Sequence, residues 1–432
     1  MNRLLLVAAC LLYGLSLSWS YVNVEGLMGF QATYIRPFSA VYEVAGFVLI
    51  AGLASFVMPL RISKPSDVAL WMLFLLWLIP SLLLTYHVGT RPAQEIFQFL
   101  VAVSASFVLL VLLCRGPLLK VPRLSMPSVV FKAALVIPTI ALSGVVVELA
   151  TRTNINSTVN LFDLSEVYVR RLEAQQVMES GSFPMFGYAL ALLGSSLAPI
   201  CFIYGLIRRR VLFVALGLTG LLSMFFLDGT KSNLFLPVLF AGMLALGINK
   251  GSQFGTKLAF SLTGLVAVGS YLWLEHQFVW ISSLFTRRMI MQKATTVGVY
   301  YETFRDSPML MQDFGPIRLL GVTPATSKAN VVGQTFGDGI TEGWNGNGWS
   351  SMHADFGIAG LLIASVLAAI LLRLFDSTSR YAPFPLVAAM CGYIAFIWGG
   401  TALTTSILTY GVLVSVLLLL QYQMGPGESK VQ

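Results

Sequence analysis

Charge is scarce in this chain: Asp, Glu, Lys and Arg make up 11% of its 432 residues, against 56% hydrophobic. So few polar side chains cannot cover a soluble globule of this length, which excludes that class. Cysteine is rare too. Cys10, Cys114, Cys201 and Cys391 each fall in or at the end of an apolar run, so neither a disulfide framework nor a cysteine metal site is expected. The histidines are three, His87, His276 and His353, with no pair at i, i+4. Apart from Asp163 and Glu166, the connections expected on the outer side hold no clustered carboxylates. No metal and no other cofactor is therefore expected. A Gly-x-x-x-x-Gly-Lys phosphate loop is missing as well, which argues against ATP hydrolysis by this chain.

What the chain has in abundance is long apolar runs, and its mean hydropathy is +0.80. A run of roughly 20 residues at 1.5 Å per residue crosses about 30 Å of hydrocarbon. Such runs fall at 4–22, 39–60, 68–86, 96–114, 129–150, 186–207, 211–228, 234–248, 258–274, 358–376, 386–399 and 402–422. The expected fold is an all-α polytopic membrane protein of about twelve transmembrane helices, 1–432 forming one integral membrane domain. Met1-Asn2-Arg3 and the box Val7-Ala8-Ala9-Cys10 superficially fit a cleaved lipoprotein signal. Too few apolar residues precede Cys10 and the run continues past it, so the segment reads as an uncleaved first helix.

Orientation follows from the lysines and arginines. With both termini cytoplasmic, fifteen of the 27 basic residues lie on the inner side and only Arg36, Arg91 and Lys231 in short outer loops. Two long connections, 151–185 and 281–357, then face outward. The net charge of +8 mostly reflects the inner-side bias and implies no nucleic acid partner. Glu43, Glu148, Asp228, Lys231, Glu275 and His276 all fall near the outer ends of their runs. Such residues either snorkel to water or mark function at the outer leaflet. With no charge at the centre of any run, a transport path through the bilayer is not indicated.

Both long connections carry a basic signature. Arg170-Arg171 is followed by Gln175 and Gly181, and Arg287-Arg288 by Gln292 and Gly298, at identical spacing. Paired guanidinium groups suit a large anion. The stretches 164–178 and 284–304 read as short amphipathic helices, so lipid phosphates are the alternative partners of these arginines. Between Gly337 and Trp349 the chain is rich in glycine, asparagine and tryptophan. Trp344 and Trp349 offer flat faces for a sugar ring, with Asn345 and Asn347 for hydroxyls; interfacial anchoring is the competing reading of the tryptophans. His353 and Asp355 follow. Imidazole titrates where a general base must, although a histidine leading into a helix is often a cap.

These residues together resemble the O-antigen repeat-unit polymerases of the Wzy-dependent lipopolysaccharide pathway, within the wider polymerase and ligase superfamily. The resemblance rests on the topology and on an Arg-x10-Gly spacing in each large loop. Two shorter motifs join it: a turn at Asp228-Gly229-Thr230-Lys231-Ser232-Asn233, and an aromatic-Gly-x-x-Gly in Phe356 to Gly360. It departs from the family at Lys231, which stands where relatives carry arginine. The resemblance implies an inner-membrane glycosyltransferase acting in the periplasm on undecaprenyl-pyrophosphate-linked oligosaccharides. The growing chain would move from its carrier to a lipid-linked repeat unit. Arg170, Arg171, Arg287 and Arg288 would hold pyrophosphate, helped by Lys231, Gln175, Gln292, Gly181 and Gly298. His353 would be the base, with Asp355 as the alternative. A chain-length regulator, a flippase and membrane lipids would be its partners. An O-antigen ligase, another lipid-linked polysaccharide polymerase or a transporter are the rival expectations.

Overall fold

The computed structural model describes residues 3–23, 40–88, 90–122, 126–152, 186–228, 231–313, 326–336 and 344–422. Helix is the only regular structure among them. In a bilayer this is what the apolar runs dictate, because a helix satisfies every backbone N–H and C=O within its own segment. The elements are α1 (Arg3–Asn23), α2 (Val41–Val57), α3 (Pro65–His87), α4 (Ala93–Cys114), α5 (Ser128–Arg152), α6 (186–208), α7 (Val211–Asp228), α8 (Lys231–Leu246), α9 (Phe254–His276), α10 (279–304), α11 (Lys328–Phe336), α12 (Gly348–Thr378), α13 (Phe384–Trp398) and α14 (Leu403–Leu420). Eight of them, α1, α3, α4, α5, α6, α9, α12 and α14, are long and apolar enough to cross a membrane. α2, α7, α8 and α13 are shorter apolar helices. Every run expected from sequence holds one of these twelve helices, and the chain is an all-α, multi-pass membrane protein.

Contacts gather the chain into two compact units. The first comprises 1–117, 250–373 and 394–404, the second 118–249, 374–393 and 405–432.

In the first unit, cations cap the carbonyl ends of helices at one end of the bundle. Lys64 Nζ donates to Cys114 O at 3.1 Å and Gly116 O at 2.6 Å, and Arg3 Nη1 to Met58 O at 2.6 Å. Arg115 Nη2 donates to Val57 O at 2.6 Å and Arg373 Nη2 to Pro117 O at 2.7 Å. The last carbonyls of a helix have no partner inside it and carry its negative pole, so this is where a cation stabilises most. α9 starts at this same basic end: Ile62 N donates to Ser252 O at 2.9 Å, and Gly255 lies against the buried Trp71 ring, where a Cβ would stand only 2.1 Å from Cε2. His87, closing α3, and His276, closing α9, therefore both stand at the opposite end.

Candidate functional site

α10 leaves that opposite end and returns to it. It begins three residues after His276, with Ile281 and Ser282 against Gly269 of α9. It finishes where the start of α4 meets it. Thr90 N donates to Glu302 Oε2 at 2.8 Å, Arg305 pairs with Glu95, and Arg91 Nη2 lies 2.5 Å from Asp306 Oδ2. The Arg91–Asp306 hydrogen bond pushes the arginine up and the carboxylate down from their usual ranges. In between, Thr85 Oγ1 contacts Ala294 O at 3.4 Å and Gly298 packs on Thr85, where a Cβ would come within 3.0 Å of Cγ2. α10 thus does not cross; it lies along α3 with Ile290, Met291, Ala294, Val297 and Val299 buried. Sequence predicts an amphipathic helix over 284–304, and a helix is there, but packed among crossing helices and not resting on a lipid surface.

Arg287 and Arg288 sit in the least regular part of α10. Residues Ser282–Met291 form ten residues of π-helix, a geometry that is usually a single turn and recurs at functional sites. Both arginines are half-buried, while Gln292 is exposed. One turn on, Lys293 turns inward. Its Nζ donates to Phe396 O at 3.0 Å, stands 3.8 Å over the Phe396 ring and borders Gly399 and Gly400. The protein around its head lowers its pKa to about 7, because burial disfavours the charged amine. One segment therefore presents two permanent cations and one that titrates near neutrality.

The opening of α12 lies beside the end of α10. Tyr300 bridges the two: its hydroxyl donates to Trp344 O and accepts from Gly346 N, both at 2.8 Å. Val88, Val299, Tyr300, Phe304, Val332, Phe336 and Ala354 form the hydrophobic cluster underneath. Asn347 caps α12, its Oδ1 accepting from Trp349 N at 2.9 Å and Ser350 N at 2.7 Å. At Phe356-Gly357 the helix breaks, Gly357 holding φ 58°, ψ −143°, a conformation essentially restricted to glycine. Gly360 completes the break, since a Cβ there would stand 1.9 Å from Met352 O. The aromatic-Gly-x-x-Gly motif is thus a kink that sets residues 348–355 off from the remainder of α12.

Ahead of the break runs a set of unmet side-chain atoms. Asn347 Nδ2, Ser350 Oγ and His353 Nδ1 are all buried and none has a partner. Spaced three apart on a helix, they share a face. A buried polar atom left unsatisfied costs on the order of 1–3 kcal/mol, and three in a row mark a place where a polar guest is due. Phe99 walls His353 edge-on at 4.9 Å and stacks on Tyr301 at 4.2 Å; Tyr301 also tilts against the imidazole at 5.6 Å.

Several expected site residues occupy other roles. Both carboxylate oxygens of Asp355 are engaged, Oδ1 by Met311 N at 2.8 Å and Oδ2 by Lys328 Nζ at 3.1 Å. Lys328 Nζ also lies 2.5 Å from Asp313 Oδ1. Asp355 is a clasp holding residues 309–313 and α11 to α12, poorly suited to take a proton from substrate. Trp349 is an interior residue, stacked on Trp77 at 4.5 Å with Nε1 donating to Ser365 Oγ at 2.9 Å, so it offers no open face to a sugar. Trp344 is half-buried against the hydrophobic cluster and Asn345 is exposed. Gly298 serves the contact with Thr85, not a ligand. Arg170, Arg171, Gln175, Gly181 and the glycine-rich 337–343 lie outside the described residues, as do the side chains of Asp228 and Lys231. Among the described residues no group of three His, Cys, Asp or Glu could hold a metal ion.

Lys293, Ser350 and the Lys328–Asp313 pair were not singled out as site residues from sequence. Lys293 alone left a signal there, as a third cation on the helix of Arg287 and Arg288. Comparison with protein families, with curated proteins and with solved structures finds no match.

Proposed function

We propose that this chain is an O-antigen polymerase of the bacterial inner membrane, with its termini in the cytoplasm and α10 at the periplasmic face. The observation that carries the reading is α10 itself: a helix that enters and leaves on one side, bearing Arg287, Arg288 and Lys293 among crossing helices. A pyrophosphate at the headgroup level of a lipid carrier needs cations at that depth, and guanidinium forks match its oxygens two at a time. The acceptor sugar's hydroxyl oxygen attacks the anomeric carbon of the growing glycan, and the bond from that carbon to the pyrophosphate breaks. Undecaprenyl pyrophosphate departs with the bonding electrons. Charge building on the departing oxygen is met by the α10 cations. The hydroxyl proton passes to His353, with Asn347 Nδ2 and Ser350 Oγ as the neighbouring partners for sugar hydroxyls. Burial lowers the pKa of His353 to about 4, below the near-neutral value expected from sequence, so the imidazole waits uncharged and, as a weak base, holds the proton only transiently.

The test is the lipopolysaccharide ladder of a deletion strain complemented with wild type or Arg287→Glu. Wild type should restore long chains, whereas the variant, present at equal level in the membrane, should leave core plus a single repeat. Wild-type chain lengths from Arg287→Glu would reject the role of α10. Core with no repeat, while polymer accumulates on its carrier, would identify a ligase instead.

A further inference from the structure

The second unit holds a basic cavity that the proposed reaction does not use. α6 and α7 are joined by the turn at Arg209-Arg210, and beside it opens a cavity of about 690 Å3. Arg208, Arg209, Arg210 and Lys132 of α5 line it, and no carboxylate is among its described lining residues. Arg208 is fixed, its Nη2 donating to the Tyr422 hydroxyl at 3.0 Å, while Lys132, Arg209 and Arg210 are exposed. The floor is aromatic, Tyr204 and Phe213 meeting edge to face at 4.9 Å. Val211 and Leu212, also lining the cavity, are 81% and 65% exposed.

Lys132, Arg209 and Arg210 converge on one cavity with no carboxylate among its described lining residues, so they repel one another, and an external anion removes that repulsion. The backbone adds a second indication. Arg209 closes α6 in the left-handed conformation, φ 52°, ψ 40°, where glycine would be relaxed. A guanidinium is thus held at a position whose geometry favours a residue with no side chain. Exposed aliphatic side chains next to the arginines locate the cavity at a hydrocarbon boundary, which a free anion in water does not require.

We propose that this cavity binds the phosphate of an anionic membrane lipid, the arginines and Lys132 holding the headgroup and Val211 and Leu212 meeting its acyl chains. The site is separate from the proposed polymerase chemistry and stands or falls without it.

Native mass spectrometry of the full-length detergent-purified protein, offered phosphatidylglycerol and phosphatidylcholine in equal amounts, reads the binding directly. Wild type should retain phosphatidylglycerol preferentially. Replacing Lys132, Arg209 and Arg210 together by glutamine should weaken retention by about tenfold or more. A control carrying Arg61→Gln, Lys120→Gln and Lys250→Gln, exposed cations outside the cavity, should retain lipid as wild type does. Arg209→Gly guards against misfolding: it should weaken retention about fivefold while leaving the thermal midpoint unchanged or higher. Equal losses in the two triple variants would overturn the site in favour of diffuse attraction. Equal retention of the two lipids would also overturn it, and complete displacement by excess inorganic phosphate would reassign it to the free anion.

Discussion

An amine whose pKa sits near 7 is half charged at neutrality, so Lys293 makes the cation set of α10 depend on pH where Arg287 and Arg288 do not. If its charge helps hold the pyrophosphate, polymerisation in a membrane preparation should fall as pH rises through about 7. Lys293→Arg, charged throughout, should flatten that decline, and a decline unchanged in this variant would remove Lys293 from the anion site. The stability consequence has the opposite sense. The unfolded chain binds this proton up to about pH 10.4, the folded chain only to about 7, so the cost of the buried charge is complete below 7 and shrinks as pH rises toward 10.4. Lys293→Met should accordingly raise the thermal midpoint more at pH about 6 than at pH about 9, and an equal shift at both would show that packing, not charge, dominates. Sequence places this lysine with Arg287 and Arg288 on the polar side of an amphipathic helix, but its inward turn is not legible there, because the Phe396 carbonyl that receives it lies about a hundred residues away.

At the level of elements, the fold rests on close approaches and on one ionic clasp. Gly255 lets α9 meet Trp71 of α3, and Gly255→Ala forces a methyl into an indole that has no room to move, Trp71 being 1% exposed. Overpacking of this kind costs about 1–3 kcal/mol, so the variant should melt several degrees lower, whereas Gly264→Ala in the same helix, with open space at its Cβ, should not. In the clasp, removing Lys328 strands Asp355 inside the protein, and Lys328→Met should destabilise by about 3–5 kcal/mol. Adding Asp355→Leu should recover part of that loss; strict additivity in this cycle would mean the two side chains do not interact. The crossing helices were legible because apolar length is a local property. The shape of α10 was not. Its residues alternate polar and apolar as an interfacial helix does, and only the packing of Thr85 and Gly298, 213 positions apart, draws it in among its neighbours. Asp355, expected as the alternative base, and Trp349 take other roles for a related reason, each being claimed by a partner on another helix, Lys328 of α11 and Trp77 of α3.

On the scale of the molecule, the first unit is polarised along its axis. Arg3, Lys64 and Arg115 close the carbonyl ends of helices at one end, where Arg373 also holds the loop carbonyl of Pro117, while α10 and its ion pairs with α4 occupy the other. Arg3, Lys64 and Arg115, which the sequence count expects on the inner side, are thus also the caps that those helix ends require. Sidedness then becomes a measurable property of the whole chain. The four native cysteines are buried, so a single new thiol can be read against a low background. Ser307→Cys, exposed just beyond α10, and Lys250→Cys, exposed at the basic end, lie at opposite ends of the same unit. In spheroplasts a maleimide that cannot cross the inner membrane should label Ser307→Cys and spare Lys250→Cys until detergent is added. The reverse pattern would place α10 in the cytoplasm, where no lipid-linked repeat unit awaits polymerisation, and the proposed reaction would fall with it.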